Sequence, residues 1–290
     1  MNAICVISML TSVASASATR LAVGSRFGKY GPEQEKEVRK LDVKEDRALE
    51  QLKNAWRTFR DDLRRWHGSD STFVLAQVKG LVYSTKDVET FSLALAEFQD
   101  EKHFSSDAGV FLNVLIDNGK DSDYVIHTLH LGQKIDGLGF ENKKNIIVNG
   151  DLGEKIGTHM KGGTITVNGT VWSLGACMHG GTITVNGDVG EEIGPLMDGG
   201  SIIVNGNHGS SCDMSIGLGM RGGSITVTGN AGNVGPVMEG GTITVNGNAQ
   251  RVGSGMKGGE IHLNGDYKYL VGKSTQGAKI YHKGKLIVDL

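Results

Sequence analysis

Cysteine is scarce in this 290-residue chain, with three residues at positions 5, 177 and 212. Three thiols cannot build a disulfide framework or a four-thiolate cluster. Excess charge is also lacking: 30 basic side chains face 32 acidic ones, for a formal net charge of −2. That balance gives no electrostatic case for nucleic acid or an anionic membrane as partner. After the N-terminus, no apolar run approaches the ~18 residues that a membrane helix needs. The expectation is a soluble protein with no cofactor and without the ligand inventory of a redox enzyme.

Glycine is abundant. The chain has 44, about 15%, against a usual share near ~7%. Only seven of them fall in residues 1–131, and the other 37 fall in 132–290. The second part must therefore be built differently from the first.

Residues 2–18 are apolar and small, and Ala16-Ser17-Ala18 resembles a signal-peptidase site. No Lys or Arg precedes this stretch, no acidic residue occurs before Glu33, and Arg20, Arg26 and Lys29 follow it. Three readings of residues 1–31 stay open: a disordered segment or a start placed too far upstream, a secretory signal, and an organelle transit peptide. A cytoplasmic location is favoured, with a signal or transit peptide still open.

Residues 32–67 are dense in charge. Leu49, Leu52, Trp56, Phe59, Leu63 and Trp66 are spaced 3, 4, 3, 4, 3, which predicts one stripe of an amphipathic helix. Pro32 suits its start and Gly68 its end. Such a stripe packs onto the chain's own body or forms a coiled-coil seam, so self-association through residues 45–66 is one expectation. Residues 68–141 read as a small α+β capping module. In it, 73–84 form a strand pair or irregular apolar segment and 86–100 an amphipathic helix. Ser105-Ser106-Asp107 cap a short helix over 108–117, and Tyr124–Leu131 alternates as a strand.

The strongest signal is an internal repeat. The pattern G-x-x-M-x-G-G-x-I-x-[VL]-x-G begins at Gly157, Gly175, Gly194, Gly217, Gly235 and Gly253, and its glycine pairs step by 18, 19, 23, 18 and 18 residues. An I-x-V run of this length is a strand with one buried face. One such unit cannot bury that face alone, so the copies must stack. The predicted fold is a mainly β, right-handed parallel β-helix of about eight 18–19-residue coils over 142–290, with a helical and α+β N-terminal cap and a C-terminal cap. At ~4.8 Å per coil, the column is roughly 35–40 Å long.

Stacking predicts ladders of like residues. One is Ile165, Ile183, Ile202, Ile225, Ile243 and Ile261, and a second is Val167, Val185, Val204, Val227, Val245 and Leu263. A third, Met160, Met178, Met197, Met220, Met238 and Met256, reads as adaptable core filler rather than metal ligation. Asn168, Asn186, Asn205, Asn246 and Asn264 precede glycines as turn residues, and their amides are placed to stack. The position after each Met reads Lys161, His179, Asp198, Arg221, Glu239 and Lys257. From Asp198 onward the sign alternates, which sets opposite charges beside each other. Exposed pairs contribute only ~0.2–1 kcal/mol each, so their expected use is register and edge protection.

The repeat resembles the GXGXG family, which includes a formylmethanofuran dehydrogenase component and the C-terminal domain of the large glutamate synthase polypeptide. The resemblance covers about residues 142–285 and implies a right-handed β-helix acting as a structural element and a contact surface between subunits. The catalytic parts of those enzymes are missing: there is no cysteine at position 2, no flavin barrel and no clustered cysteine set.

Candidate chemistry is sparse. Residues 217–222 and 253–258 match G-x-G-x-x-G, but each runs into a β-coil instead of opening a helix, which argues against a dinucleotide site. His159, His179 and His208 lie on successive coils without an evident orienting carboxylate, and Cys177 reads as a small packing residue. The 23-residue step places Asn207–Ile216 where other coils use five or six residues. His208, Ser210, Ser211, Cys212 and Asp213 are therefore the candidate recognition loop; the alternative is a tolerated insertion. Thr164/Thr166, Thr182/Thr184, Ser224/Thr226 and Thr242/Thr244 form outward hydroxyl rows, broken at Ile203 and His262. The leading expectation is a non-catalytic scaffold or subunit that presents a rigid face to a protein partner or catalytic subunit. The alternatives are ligand or ice binding by the Thr face, and a metal-dependent enzyme at 207–216.

Overall fold

A computed structural model describes residues 47–66, 71–209, 214–270 and 277–289. The readings of 1–31, and of 32–46 as the start of the charged helix, lie outside the described residues.

The N-terminal part is helical: α1 (Arg47–Trp66), α2 (Ser71–Val78), α3 (Thr85–Ala94) and α4 (Phe104–Asn118). Leu52, Trp56 and Phe59 of the predicted stripe are buried in this chain's own core. Trp56 is ringed by Phe59, Phe91, Phe98, Phe104 and Phe111, with centroids 5.3–6.4 Å away. One turn further along, the buried Arg60 pairs with Asp107 of α4 and with Glu101 at 2.7 Å. Two acidic partners make that buried cation tolerable, and the Asp107 pair pins α1 to α4.

Three expectations for this part are corrected. Within 73–84, read as a strand pair or irregular segment, the residues up to Val78 belong to a helix and 81–84 are irregular: Val74 and Val78, four apart, share the helix's buried side. A short apolar run alone does not separate helix from strand. α4 starts at Phe104 behind a left-handed His103 (φ 63°), without a side-chain cap; Ser105, Ser106 and Asp107 lie inside its first turn, where Asp107 pairs with Arg60. The strand at 124–131 is β1 (Asp123–His127), and it pairs in parallel with β2 (Asn145–Asn149), so it is the first strand of the solenoid.

The solenoid has about eight turns over residues 123–282. Its long sheet continues through β3 (Thr164–Asn168), β4 (Thr182–Val185), β5 (Ser201–Val204), β7 (Ser224–Val227), β9 (Thr242–Val245), β11 (Gly259–Leu263), β13 (Ala278–His282) and β14 (Lys285–Asp289). A second wall holds β6 (Ser215–Ile216), β8 (Ala231–Val234), β10 (Ala249–Val252) and β12 (Tyr267–Leu270). Isolated parallel bridges extend it N-terminally: Ile135, Leu152, Val171, Val189 and His208 form one column, and Ile156, Leu174, Ile193 and Ile216 another.

The predicted ladders are present in register. Ile stands beside Ile and Val beside Val from β3 to β9, and all of these residues and all six ladder methionines are buried. The Asn row stacks as well: Asn168 Nδ2 donates to Asn149 Oδ1 at 2.9 Å, and Asn186 to Asn168 and Asn205 to Asn186 at 2.8 Å. Thr228 interrupts the row, which resumes from Asn264 to Asn246 at 2.8 Å. The T-x-T hydroxyls lie on the outer side of the long sheet, opposite the buried Ile and Val.

The repeat motif describes how one coil fits the next. In each G-x-x-M, the Met N–H donates to the Gly carbonyl, as Met178 does to Gly175 at 3.3 Å, closing a four-residue turn. A Cβ on Gly175 would come within 2.4 Å of the Ile202 δ-methyl, one coil further on. Gly200 has φ +87°, and a Cβ there would meet the Met178 ε-methyl at 2.7 Å and the Gly181 carbonyl at 2.8 Å. Ile and Met thus fill the spaces that the glycines of the adjoining coils leave.

Both ends of the column are treated differently from its middle. At the N-terminal end, the His127 N–H of β1 donates to Ser92 Oγ of α3 at 3.0 Å. α4 holds the first coil through Asn113, which bonds Gly137 and Gly139. At the other end, β14 runs antiparallel to β13, with an irregularity at Ile280/Tyr281.

This fit predicts that Gly200→Ala lowers stability by at least ~2 kcal/mol, because a left-handed residue must also push against backbone. Met178→Ala removes the matching filler and should cost ~2–5 kcal/mol. Chemical denaturation followed by far-UV circular dichroism reads both.

Candidate functional site

The irregular 23-residue coil sits on the second wall. His208 pairs with Val189 in the inward column, and its N–H donates to the Asn230 carbonyl at 2.8 Å. The other bridged members of this column are Ile and Val or Leu, so the imidazole points inward and only 3% of the residue is exposed. Nδ1 accepts the Gly232 N–H at 3.2 Å. The proton must therefore be on Nε2, which donates to the Glu191 carbonyl. Burial, opposed by that carbonyl, holds the pKa below the ordinary histidine value. His208 is a neutral strut inside the coil. The other four loop candidates, Ser210, Ser211, Cys212 and Asp213, lie outside the described residues.

Outside the column, a cleft of about 540 Å³ lies over this coil, lined by Lys134, Thr170, Trp172, Asp188 and Asn207 among others. Asp188 Oδ1 accepts the Asn207 N–H at 2.7 Å, Asn207 Oδ1 accepts the Asn230 N–H at 3.0 Å, and Asn230 Oδ1 accepts the Asn248 N–H at 2.8 Å. Each side chain in this row is thus fixed by the following coil. Trp172 and Lys134 escaped the sequence reading because neither falls within the repeat motif.

The G-x-x-M turns form a second surface. The residue before each Met is left-handed: His159, Cys177, Leu196 and Val237 have φ between 48° and 55°, where two coils use Gly219 and Gly255. Leu196 and Val237 are 43% and 42% exposed, and Phe140, one residue before the left-handed Glu141 (φ 54°) that heads the row, is 48% exposed. Phe140 meets the His159 ring edge-on at 5.7 Å, and His159 stacks on His179 at 6.0 Å, although the two histidines hold different ladder positions. Pro195 and Pro236 precede Leu196 and Val237, presetting the turn before the strained residue.

Beside that row runs the charge column. His179 lies 3.3 Å from Asp198, Asp198 3.3 Å from Arg221, Arg221 3.7 Å from Glu239, and Glu239 3.1 Å from Lys257. Lys161 pairs with Glu141 at 2.6 Å and holds that carboxyl below its usual range. Among the described residues, no group of three or more His, Cys, Asp or Glu is placed to hold a metal ion, and no helix is long and apolar enough to cross a membrane.

A scan against protein-family models matched none, and a search of curated proteins found no match.

His208 gives a pH prediction. An unfolded imidazole titrates near ~6.5, whereas the folded one resists its proton, so the unfolded chain takes it up first. The contribution is fully present above ~6.5 and declines as pH falls below it. Thermal midpoints between about pH 7.5 and 5 should fall for the native chain and flatten for His208→Gln, which keeps a donor and an acceptor but does not titrate.

Proposed function

We propose that this chain is a non-catalytic β-solenoid scaffold that docks a partner protein along the row of G-x-x-M turns. One observation carries the reading: Leu196 and Val237 keep exposed apolar side chains on left-handed backbone. A left-handed residue with a Cβ costs roughly 1–2 kcal/mol, more when β-branched like Val237. Gly219 and Gly255 close the same turn without that cost. Strain of this kind, kept where glycine serves, supports a role for the side chain itself.

The surface suits association. Six coils present the row over about 24 Å at ~4.8 Å per coil, and two prolines stiffen it, which lowers the entropy lost on docking. The adjoining charge column supplies a polar rim that sets register. The resemblance of the repeat to the GXGXG domain supports a role in contacts between subunits and makes an oxidoreductase of the formylmethanofuran-dehydrogenase or glutamate-synthase type the first partner class to try.

The double variant Leu196→Gly/Val237→Gly separates docking from folding. Its thermal midpoint should stay level or rise by a few degrees, since ~1 kcal/mol of strain per site is relieved. Recovery of a stoichiometric complex at native expression should fall at least tenfold. A native chain recovered only as a monomer, or a complex unaffected by the double variant, would overturn the proposal.

A further inference from the structure

We infer that a groove along the second wall binds a linear, uncharged glycan, with Trp172 as its stacking platform. From residue 141 to 266, Trp172 is the only Phe, Tyr or Trp in the sequence, yet it is 42% exposed and not in the core. The indole lies over Gly190, where a Cβ would come within 2.8 Å of its ring. The indole thus rests on a glycine of the wall while Asp188, Asn207 and Asn230 stand along one side, and on the next coil Met214 covers Gly209, where a Cβ would come within 2.3 Å of its sulfur.

Three clefts lie along this wall and share lining residues. The cleft over the irregular coil shares Lys134 and Trp172 with one neighbour, which adds Gln133, Asp136 and Glu154. It shares Asn230 with the other, which ends at Asp266, Tyr267 and Lys268. From Trp172 to Lys268 is five coil steps, about 24 Å at ~4.8 Å each. One amide or carboxylate per coil, already oriented by the following coil's N–H, is an array of fixed acceptors and donors for a chain of hydroxyls. An aromatic face beside such groups matches a sugar ring, which has an apolar face and a polar edge.

Charge narrows the ligand class. Asp136, Glu154, Asp188 and Asp266 outnumber Lys134 and Lys268 in the lining, which disfavours a polyanion. The Lys134 ammonium already lines both clefts beside the indole and bonds Thr170 Oγ1 at 3.3 Å. That disfavours a further cation in these clefts, as an arginine-rich peptide would bring.

The test is a panel of immobilised neutral linear glycans probed with the full chain, with polygalacturonate and an oligo-arginine peptide alongside. At least one neutral glycan should bind, and its soluble hexasaccharide should give a saturable calorimetric titration. Trp172→Ala should weaken that affinity at least tenfold with no loss of thermal stability, and Thr184→Ala on the long sheet should leave it unchanged. Binding to no neutral glycan, preferential binding to polygalacturonate or the peptide, or a Trp172→Ala variant with native affinity would each overturn the inference.

Discussion

Side chains in this solenoid find their partners one coil away. The Ile202 δ-methyl reaches the Cα of Gly175, and the Met178 ε-methyl reaches that of Gly200. Each coil is thus a mould for its neighbours. Ladder hydrogen bonds set the spacing, but bulk against glycine sets the register, since a shift of one residue would drive a methyl into backbone. The Asn amides and the Asp/Asn row that holds the next coil's N–H groups repeat the same logic at the surface.

With the interior so constrained, functional variation is left to the few positions that face outward between ladder residues. Two of these depart from their column in the same sense, toward apolar or aromatic bulk where glycine also occurs. One is the turn residue before Met, filled by Leu196 and Val237 but by Gly at 219 and 255. The other is the wall position filled by Trp172 but by Gly at 190 and 209. Both therefore test function with little confusion from folding. His208 is the reverse case: an inward polar residue whose two nitrogens are taken up by main-chain partners.

Much of the fold was legible because a repeat supplies its own alignment. Six copies in register exposed the Ile, Val and Met ladders and the alternation of charge. The helical cap was less legible. Val74 and Val78 lie in a run of apolar residues too short to show a period, and Asp107 looked like a local cap although it pairs with Arg60, far away in sequence. The second wall was also missed, since its inward residues, Leu152, Val171, Val189 and His208, share no single side-chain type. Neither surface site was marked by its residue types: Trp172 lies outside the repeat motif, and the turn row falls on one of the motif's variable positions. Trp172 became visible only when its neighbours proved to be glycines, and the turn row only when left-handed backbone showed under side chains with a Cβ.

The charge column has an arithmetical consequence for how such a chain can lengthen or shorten. Asp198, Arg221, Glu239 and Lys257 occupy adjoining coils with opposite signs in contact. Deleting the coil of Arg221 would bring two carboxylates together, and duplicating any one coil of this series would juxtapose two like groups. Loss or gain of a pair keeps every contact attractive. The Ile and Met ladders are indifferent to coil number, so this column makes even-numbered changes easier than odd ones and imposes a parity on an otherwise open-ended repeat.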